Sequence, residues 1–195
     1  MDVKSKRVGF ALTGSHCNLE AVLPALADLT GRGAEVTPIV SESVARMDTR
    51  FGRAEDWLAR LRDITGRSPL TTIPEVEPIG PERLLDVLVI CPCTGNTLSK
   101  LALAVTDGVV PMAAKAHLRN GRPVVLAVST NDGLGLNAKN LGLLLATKNI
   151  YFVPFRQDNP KTKPNSIIAD FSLVSATVAE ALAGRQLQPL LLGPG

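Results

Sequence analysis

The sequence predicts one α/β domain of three layers, in which a mostly parallel sheet of five or six strands lies between two layers of helices. Short apolar runs rich in β-branched residues alternate along the chain with longer segments of helical periodicity. Several of these runs end in a turn of small polar residues that leads into a helix. The 195 residues, 45% of them hydrophobic, are enough for one sizeable core. We expect one domain over 1–195, with its core at about 6–183 and a tail at 184–195.

The first half of the chain contains two predicted strands and two predicted helices. Residues 7–12 form a buried strand, and a helix follows with apolar residues every three or four positions up to Gly31 or Gly33. Residues 34–40 form the second strand, which Ser41 follows. The charged segment 42–67 is predicted to contain a helix with Trp57 on its buried side. The four prolines of 69–81 indicate a loop or an edge strand.

The second half repeats this alternation. The predicted strands are 85–90, 123–128 and a short last one at 150–153. One predicted helix starts near Thr97, and three others cover 111–120, 137–148 and 167–182. The closing helix is predicted from the helical spacing of its apolar residues, which are Ile167, Phe171, Val174 and Val178.

Composition excludes several classes of function. A net charge of +3 is too small to indicate a nucleic-acid partner. No apolar run approaches the roughly 18 residues of a membrane span, and the N-terminal run is too short for a signal peptide, so we expect a cytoplasmic protein without a membrane partner. Three cysteines and two histidines make a metal site a poor hypothesis. Aromatic residues make up 4% of the chain, which leaves few rings to stack on a flat cofactor.

Polar clusters follow four of the predicted strands, and in a parallel sheet the ligand lies beyond these carboxyl ends. Three of the clusters lead into helix N-termini, where free N–H groups favour an anion. Neither a triphosphate motif nor a dinucleotide motif follows the first strand. The sequence therefore predicts a site for a single phosphate, as in FMN, with hydroxyl donors among the clusters. The cluster residues are Thr13, Gly14 and Ser15; Ser41; Thr94, Gly95, Asn96 and Thr97; and Ser129, Thr130, Asn131 and Asp132. The hydroxyl donors expected are Thr13, Ser15, Ser41 and Thr97.

Other interpretations of these residues stay open. The Thr-Gly-Ser and Thr-Gly-Asn-Thr turns are also typical of helix caps. His16 is either a ligand contact or a proton donor, whereas His117 is expected to place a positive charge at a helix C-terminus. Cys91 is expected in the core, and Cys93 is either a core residue or a reactive thiol.

Residues 91–102 resemble the Pro-Ala-Ser/Thr-Ala-Asn-Thr-x-x-Lys motif of the flavoprotein superfamily that includes flavin-containing cysteine decarboxylases and flavin prenyltransferases. The Thr-Gly-Ser turn and the serine after the second strand match it as well. The resemblance implies a Rossmann-like, flavodoxin-like sheet that binds FMN. It places the phosphate at Thr13, Gly14, Ser15 and Ser41, and the flavin near Thr94, Gly95 and Thr97, with Thr130 and Asn131 on the same rim. It also places Asn96 against the substrate.

More narrowly, the chain is similar to the family of dipicolinate synthase B subunits. The similarity spans about residues 6–182, and its segments are 11–17, 77–81, 91–100, 115–121, 129–132, 148–155 and 157–158. It implies a partner, the A subunit, which uses NAD(P), and a joint oxidation of dihydrodipicolinate in the mother cell of a sporulating bacterium. It also implies a homo-oligomer. On this hypothesis Asn96 and His16 are the catalytic candidates, and Arg119 or Arg156 adds positive charge for the dicarboxylate.

Two alternatives of other classes remain. A flavin-dependent decarboxylase would use the same turns. However, the histidine that those enzymes carry between the second and fourth strands has no counterpart, since no histidine occurs from Asn18 to Ala116. A non-catalytic binding subunit would instead complete the active site of the A subunit.

Overall fold

The computed structural model describes residues 3–193, and its sheet has seven strands, mostly parallel. The strands are β1 (Arg7–Leu12), β2 (Glu35–Val40), β3 (Val87–Cys93), β4 (Val124–Thr130), β5 (Ile150–Phe152), β6 (Phe155–Asn159) and β7 (Lys163–Ala169). The first five are parallel in the order β2-β1-β3-β4-β5. β7 runs antiparallel to the end of β4, and β6 pairs with β7. The predicted fold class is confirmed, although the described chain has seven strands rather than five or six.

Helices cover both faces of the sheet. They are α1 (Leu19–Gly31), α2 (Glu42–Arg46), α3 (Ala54–Thr65), α4 (Ile73–Val76), α5 (Gly95–Ala102), α6 (Val109–Leu118), α7 (Ala138–Leu145) and α8 (Val174–Leu182). α1 packs on α8 in one layer, while α5 contacts both α6 and α7 in the other. Single 3-10 turns precede α1 and α8 and follow α4. Between residues 3 and 193, none of the helices has the length and apolar character needed to span a membrane.

The core is centred on β3 and β4. Every residue of β3 is buried, as are six of the seven residues of β4, because helices cover both faces of these strands. This double burial explains their continuous apolar sequences. Cys91 and Cys93 belong to this core, and burial raises the pKa of the Cys93 thiol to about 12. The core interpretation of Cys91 is confirmed, whereas Cys93 stays protonated near neutral pH and the reactive-thiol interpretation is wrong.

The largest departure from the predicted elements follows β5. Residues predicted to begin the closing helix lie in β7, where Ile167 pairs with Thr130 and Ile168 with Ser129. α8 begins only at Val174. The apolar spacing fits a helix, but hydrogen bonding to the carboxyl end of β4 and to β6 determines the conformation here, and periodicity contains no information about such partners. β5 is therefore not the last strand.

Two smaller expectations also change. The proline-rich segment 69–81 contains the short helix α4, which starts with a capping box between Thr72 and Glu75. His117 is fully buried with its Nε2 3.0 Å from the Pro123 carbonyl oxygen, and burial lowers its pKa to about 4. It is therefore neutral at pH 7, and the expected charge at the helix C-terminus is wrong.

Candidate functional site

The carboxyl ends of β1, β3 and β4 meet at one edge of the sheet and enclose a cleft of about 420 Å³, here called the rim cleft. Seven of the predicted site residues line it: Gly14, Ser15, His16, Thr94, Gly95, Thr130 and Asn131. Cys17, Thr49, Phe51 and Ser129 complete the lining. The fold thus brings together the polar clusters that follow β1, β3 and β4.

Thr13 and Thr97 shape the rim cleft from within the protein. Thr13 is 1% exposed, and its hydroxyl donates to the Pro92 carbonyl (2.7 Å) and accepts from the Thr94 amide (3.0 Å). Thr97 is buried with its hydroxyl 3.1 Å from that of Thr94, the N-cap of α5. Because the Thr13 proton is already bonded, we assign this residue to holding the two turns together rather than to donating to a ligand.

The turn after β1 lies tightly against the start of α2. A Cβ at Gly14 would lie 2.6 Å from Ser43 Oγ, which is itself 3.0 Å from Ser41 Oγ. Among residues 3–193, the backbone N–H groups of Gly14, His16 and Ser43 donate no hydrogen bond. Gly14 and His16 line the rim cleft, whereas Ser43 and Ser41 lie behind Gly14, outside its lining. These four residues are called the β1–β2 side. Its close backbone approach and its unused donors fit one phosphate group.

His16 is the titratable side chain of this side. Its ring is half-buried, its Nδ1 is buried without a hydrogen-bond partner, and partial burial lowers its pKa. The imidazole is therefore neutral near pH 7 and can accept a proton.

The opposite side of the cleft is a closed set of hydrogen bonds, called the Asp132 network. The two oxygens of Asp132 accept from Thr130 Oγ1 (2.5 Å) and Asn137 Nδ2 (2.8 Å). Asn137 Oδ1 in turn accepts from Asn140 Nδ2 (2.8 Å) and lies 2.8 Å from Ser99 Oγ. The network links the end of β4 to the start of α7 and to α5, so it fixes the position of the Thr130 turn.

Gly95 lies directly against the Asp132 network. A Cβ at this position would lie 2.5 Å from Thr130 Oγ1 and 2.8 Å from both Asn137 Nδ2 and Asp132 Oδ1. Only glycine therefore lets the start of α5 approach the end of β4 this closely.

Other residues differ from what the sequence predicted. Asn96 is exposed on the first turn of α5, outside the lining of the rim cleft. Arg156 is paired with Asp170 at 2.8 Å, and Arg119 lies beside residues 77–82, which follow α4, away from the cleft. Phe51, 42% exposed, lines the cleft without any signal in the sequence. The sequence could have indicated Ser43 as a further hydroxyl of this site, because it lies two positions after the predicted Ser41.

Comparison with known proteins gives consistent results. The family model described as Flavoprotein matches residues 1–168. The B subunit of dipicolinate synthase from Bacillus subtilis (strain 168) is 52% identical over 190 residues, which are 97% of this chain and 95% of that protein. The crystal structure of the dipicolinate synthase B subunit from Bacillus halodurans superimposes with a TM-score of 0.92 at 49% identity, covering 100% of both chains.

A more distant structure shares the fold. The FMN-dependent cysteine decarboxylase SpaF superimposes with a TM-score of 0.65 at 23% identity, over 92% of this chain and 98% of that one.

Proposed function

Because this chain belongs to the flavoprotein family, we propose that it acts as the B subunit of a dipicolinate synthase. In this role it oxidises dihydrodipicolinate to dipicolinate together with an A subunit that uses NAD(P). The proposal is supported by 52% identity along almost the full length of the Bacillus subtilis protein of that name. Location in the mother cell of a sporulating bacterium is part of the proposal and rests on resemblance alone.

The observation that carries the flavin part is the set of unused donors on the β1–β2 side. We propose that the N–H groups of the Gly14 turn and the hydroxyls of Ser41 and Ser43 hold the FMN phosphate, with Ser15 beside them. Thr94, Gly95, Thr130 and Asn131 would lie along the flavin, and Phe51 would cover one face of it. Thr13 and Thr97 keep the turns in place. FMN, when bound, supplies a two-electron acceptor for the substrate hydride.

The chain's own residues would then handle the substrate and its proton. Oxidation of a dihydropyridine to a pyridine removes one hydride and one proton, so the site needs a proton acceptor as well as an electron acceptor. Neutral His16 is the candidate acceptor, because its lowered pKa keeps a ring nitrogen unprotonated near pH 7. The Asn96 amide is the candidate substrate contact. Since it is exposed, we propose that a second copy of the chain or the A subunit covers it.

The test of this function uses the purified full chain with and without its A subunit. With FMN alone, we expect quenched flavin fluorescence and a raised melting temperature. With the A subunit and NAD(P), we expect dipicolinate formation that stops when either subunit is omitted. A chain that neither quenches FMN nor gains thermal stability with it would refute the flavin part. Dipicolinate formation by the A subunit alone would refute the subunit role.

A second candidate is a non-catalytic subunit that completes the active site of the A subunit. The exposure of Asn96 outside the rim cleft favours it. Replacing His16 or Asn96 with alanine separates the two candidates. A loss of turnover in the assembled complex supports the catalytic role, and unchanged turnover supports the non-catalytic one. Release of carbon dioxide from a candidate acid by the chain alone would instead support the decarboxylase alternative.

A further inference from the structure

A second cavity of about 320 Å³ adjoins the rim cleft and is called the hairpin cavity. It lies between the turn after β1, the end of β4 and the antiparallel hairpin of β6 and β7. Ser15, Ser129 and Asn131 line both cavities, so a ligand in one would lie next to a ligand in the other. The hairpin contributes Lys163 and Ser166 to the polar part of the wall and Ile168 to the apolar part.

Asn18 controls the direction of two hydroxyl groups in this cavity. Its amide nitrogen donates to Ser15 Oγ at 2.9 Å and to Ser129 Oγ at 2.7 Å. It makes no side-chain cap bond to α1, although it occupies the N-cap position. A hydroxyl that accepts a hydrogen bond keeps its own hydrogen for another acceptor. Among residues 3–193, the Ser129 hydroxyl has no other partner, and that of Ser15 has only the Cys17 thiol, 3.9 Å away.

The remaining polar groups also favour a ligand that accepts hydrogen bonds. Lys163 Nζ lies 3.0 Å from Asp158 Oδ2, which is the acidic group of the cavity and is already paired. The Asn131 amide nitrogen donates to no residue within 3–193, because only its oxygen is bonded, to Ser166 Oγ at 3.4 Å. The donors left for a ligand are thus the Ser129 hydroxyl and the Asn131 amide, beside the Lys163 ammonium that is paired with Asp158. A carboxylate accepts several such bonds at once.

We propose that the hairpin cavity binds a carboxylate group of the substrate. Ser129, Asn131 and Lys163 donate to it, Ser15 lies at the boundary between this ligand and the flavin, and Asn18 is a positioning residue that keeps the hydroxyl hydrogens directed into the cavity. This inference deepens the proposed function and rests on it, since it states how a pyridine dicarboxylate is held beside the flavin.

The experiment measures binding of pyridine-2,6-dicarboxylate to the full chain by isothermal titration calorimetry, with and without saturating FMN. Pyridine-2-carboxylate and inorganic phosphate are titrated in parallel. We expect binding in the order dicarboxylate, monocarboxylate, phosphate. A cavity that binds phosphate as tightly as the dicarboxylate would overturn the assignment to a carboxylate.

The decisive variant is Asn18→Asp, which keeps the shape but changes an amide donor into an acceptor. The two serine hydroxyls would then donate to the new carboxylate and turn away from the cavity, so we expect affinity for the dicarboxylate to fall by about tenfold or more. Asn149→Asp adds the same charge in the turn before β5 and should leave affinity unchanged, because the Asn149 side chain makes no hydrogen bond to any residue that the structure describes. Equal affinity in the two variants would overturn the proposal.

A second pair of variants tests the cation on the hairpin. Lys163→Gln should weaken binding of the dicarboxylate several-fold, whereas Lys161→Gln, two positions away and outside the cavity lining, should not. Circular dichroism checks that each variant is folded. If Asn18→Asp does not fold, Ser129→Ala replaces it, with weaker binding expected and unchanged binding contradicting the proposal.

Flavin fluorescence in the same samples separates this inference from the proposed function. Dicarboxylate binding without FMN binding would refute the flavin site and support the hairpin cavity. FMN binding with no dicarboxylate binding under either condition would refute the hairpin cavity and leave the flavin site standing.

Discussion

The two sides of the rim cleft differ in how far their polar groups are already satisfied. In the Asp132 network, both oxygens of Asp132 and the amide of Asn137 have partners inside the protein. On the β1–β2 side, the backbone N–H groups of Gly14 and His16 have none among residues 3–193, and His16 Nδ1 is buried without one. Backbone N–H groups without a protein partner, close together in one turn at the edge of the sheet, can bind an anion. The first side is therefore structural, and the second is available for a ligand.

The largest effect expected from this difference is on stability at Gly95. In Gly95→Ala the new methyl group would lie within 2.8 Å of three polar atoms of the Asp132 network. Either the network breaks or α5 moves, so we expect the free energy of unfolding to fall by about 3 kcal/mol. Urea denaturation measures it.

Gly142→Ala is the matched control, because nothing lies within 4 Å of a Cβ at this position in α7. It should be neutral or stabilising by about 0.5–1 kcal/mol. A Gly95→Ala variant as stable as Gly142→Ala would contradict the structural role of the network.

The two histidines extend the comparison to pH. His117 is buried and neutral, with a pKa lowered from 6.5 to about 4. As pH falls from 6.5 to about 4, the unfolded chain binds a proton that the folded chain does not, so stability is lost in this window. Between pH 7 and 4.5 we expect this loss to be about 2 kcal/mol. Urea denaturation of His117→Gln at pH 7 and at pH 4.5 should show a loss of unfolding free energy that is smaller by about 2 kcal/mol than the loss in the parent.

His16→Gln is the control for this measurement. Its imidazole is half-buried, so it should contribute less to the pH dependence and the variant should keep most of the acid sensitivity. The reverse pattern, with His16→Gln flattening the pH profile and His117→Gln preserving it, would show that the two histidines have been assigned to the wrong roles.

The smallest change in the free energy of unfolding is expected on the β1–β2 side, where substitutions should instead weaken ligand binding. Ser41 makes no side-chain cap bond to α2, so within residues 3–193 removing the hydroxyls of Ser41 and Ser43 breaks only the 3.0 Å contact between them. We expect the double variant Ser41→Ala/Ser43→Ala to bind FMN about tenfold more weakly, with stability within about 0.5 kcal/mol of the parent. Flavin fluorescence titration measures the affinity.

Ser68→Ala is the control and should change neither quantity, because Ser68 is exposed and its side chain has no hydrogen-bond partner in the described part of the chain. If the double variant lost stability and kept its affinity for FMN, the β1–β2 side would be structural and the comparison would be reversed.

The sequence contained enough information for the parallel sheet and for the position of the rim. The apolar runs of β3 and β4 result from burial on both faces, and the topology of parallel strands then brings their polar ends together. The sequence could not indicate which hydroxyls are free, because the bond of Thr13 to Pro92 joins residues 79 positions apart. Phe51 was missed for a similar reason, since its place in the cleft depends on the path of a loop.

The hairpin of β6 and β7 follows from the way β4 changes partners along its length. Residues 124–126 of β4 pair with the parallel strand β5, whereas Ser129 and Thr130 pair with the antiparallel strand β7. The base of the hairpin is therefore part of the core, through Phe155, Ile167 and Ala169, whereas residues 157–165 are exposed. If the hairpin holds the substrate as proposed, residues 157–165 are the part that relatives would exchange, by recombination or in the laboratory, to change the acid recognised, while the turns proposed to hold FMN stay intact. Under the proposed function, the fold would thus separate the evolution of substrate choice from that of cofactor binding.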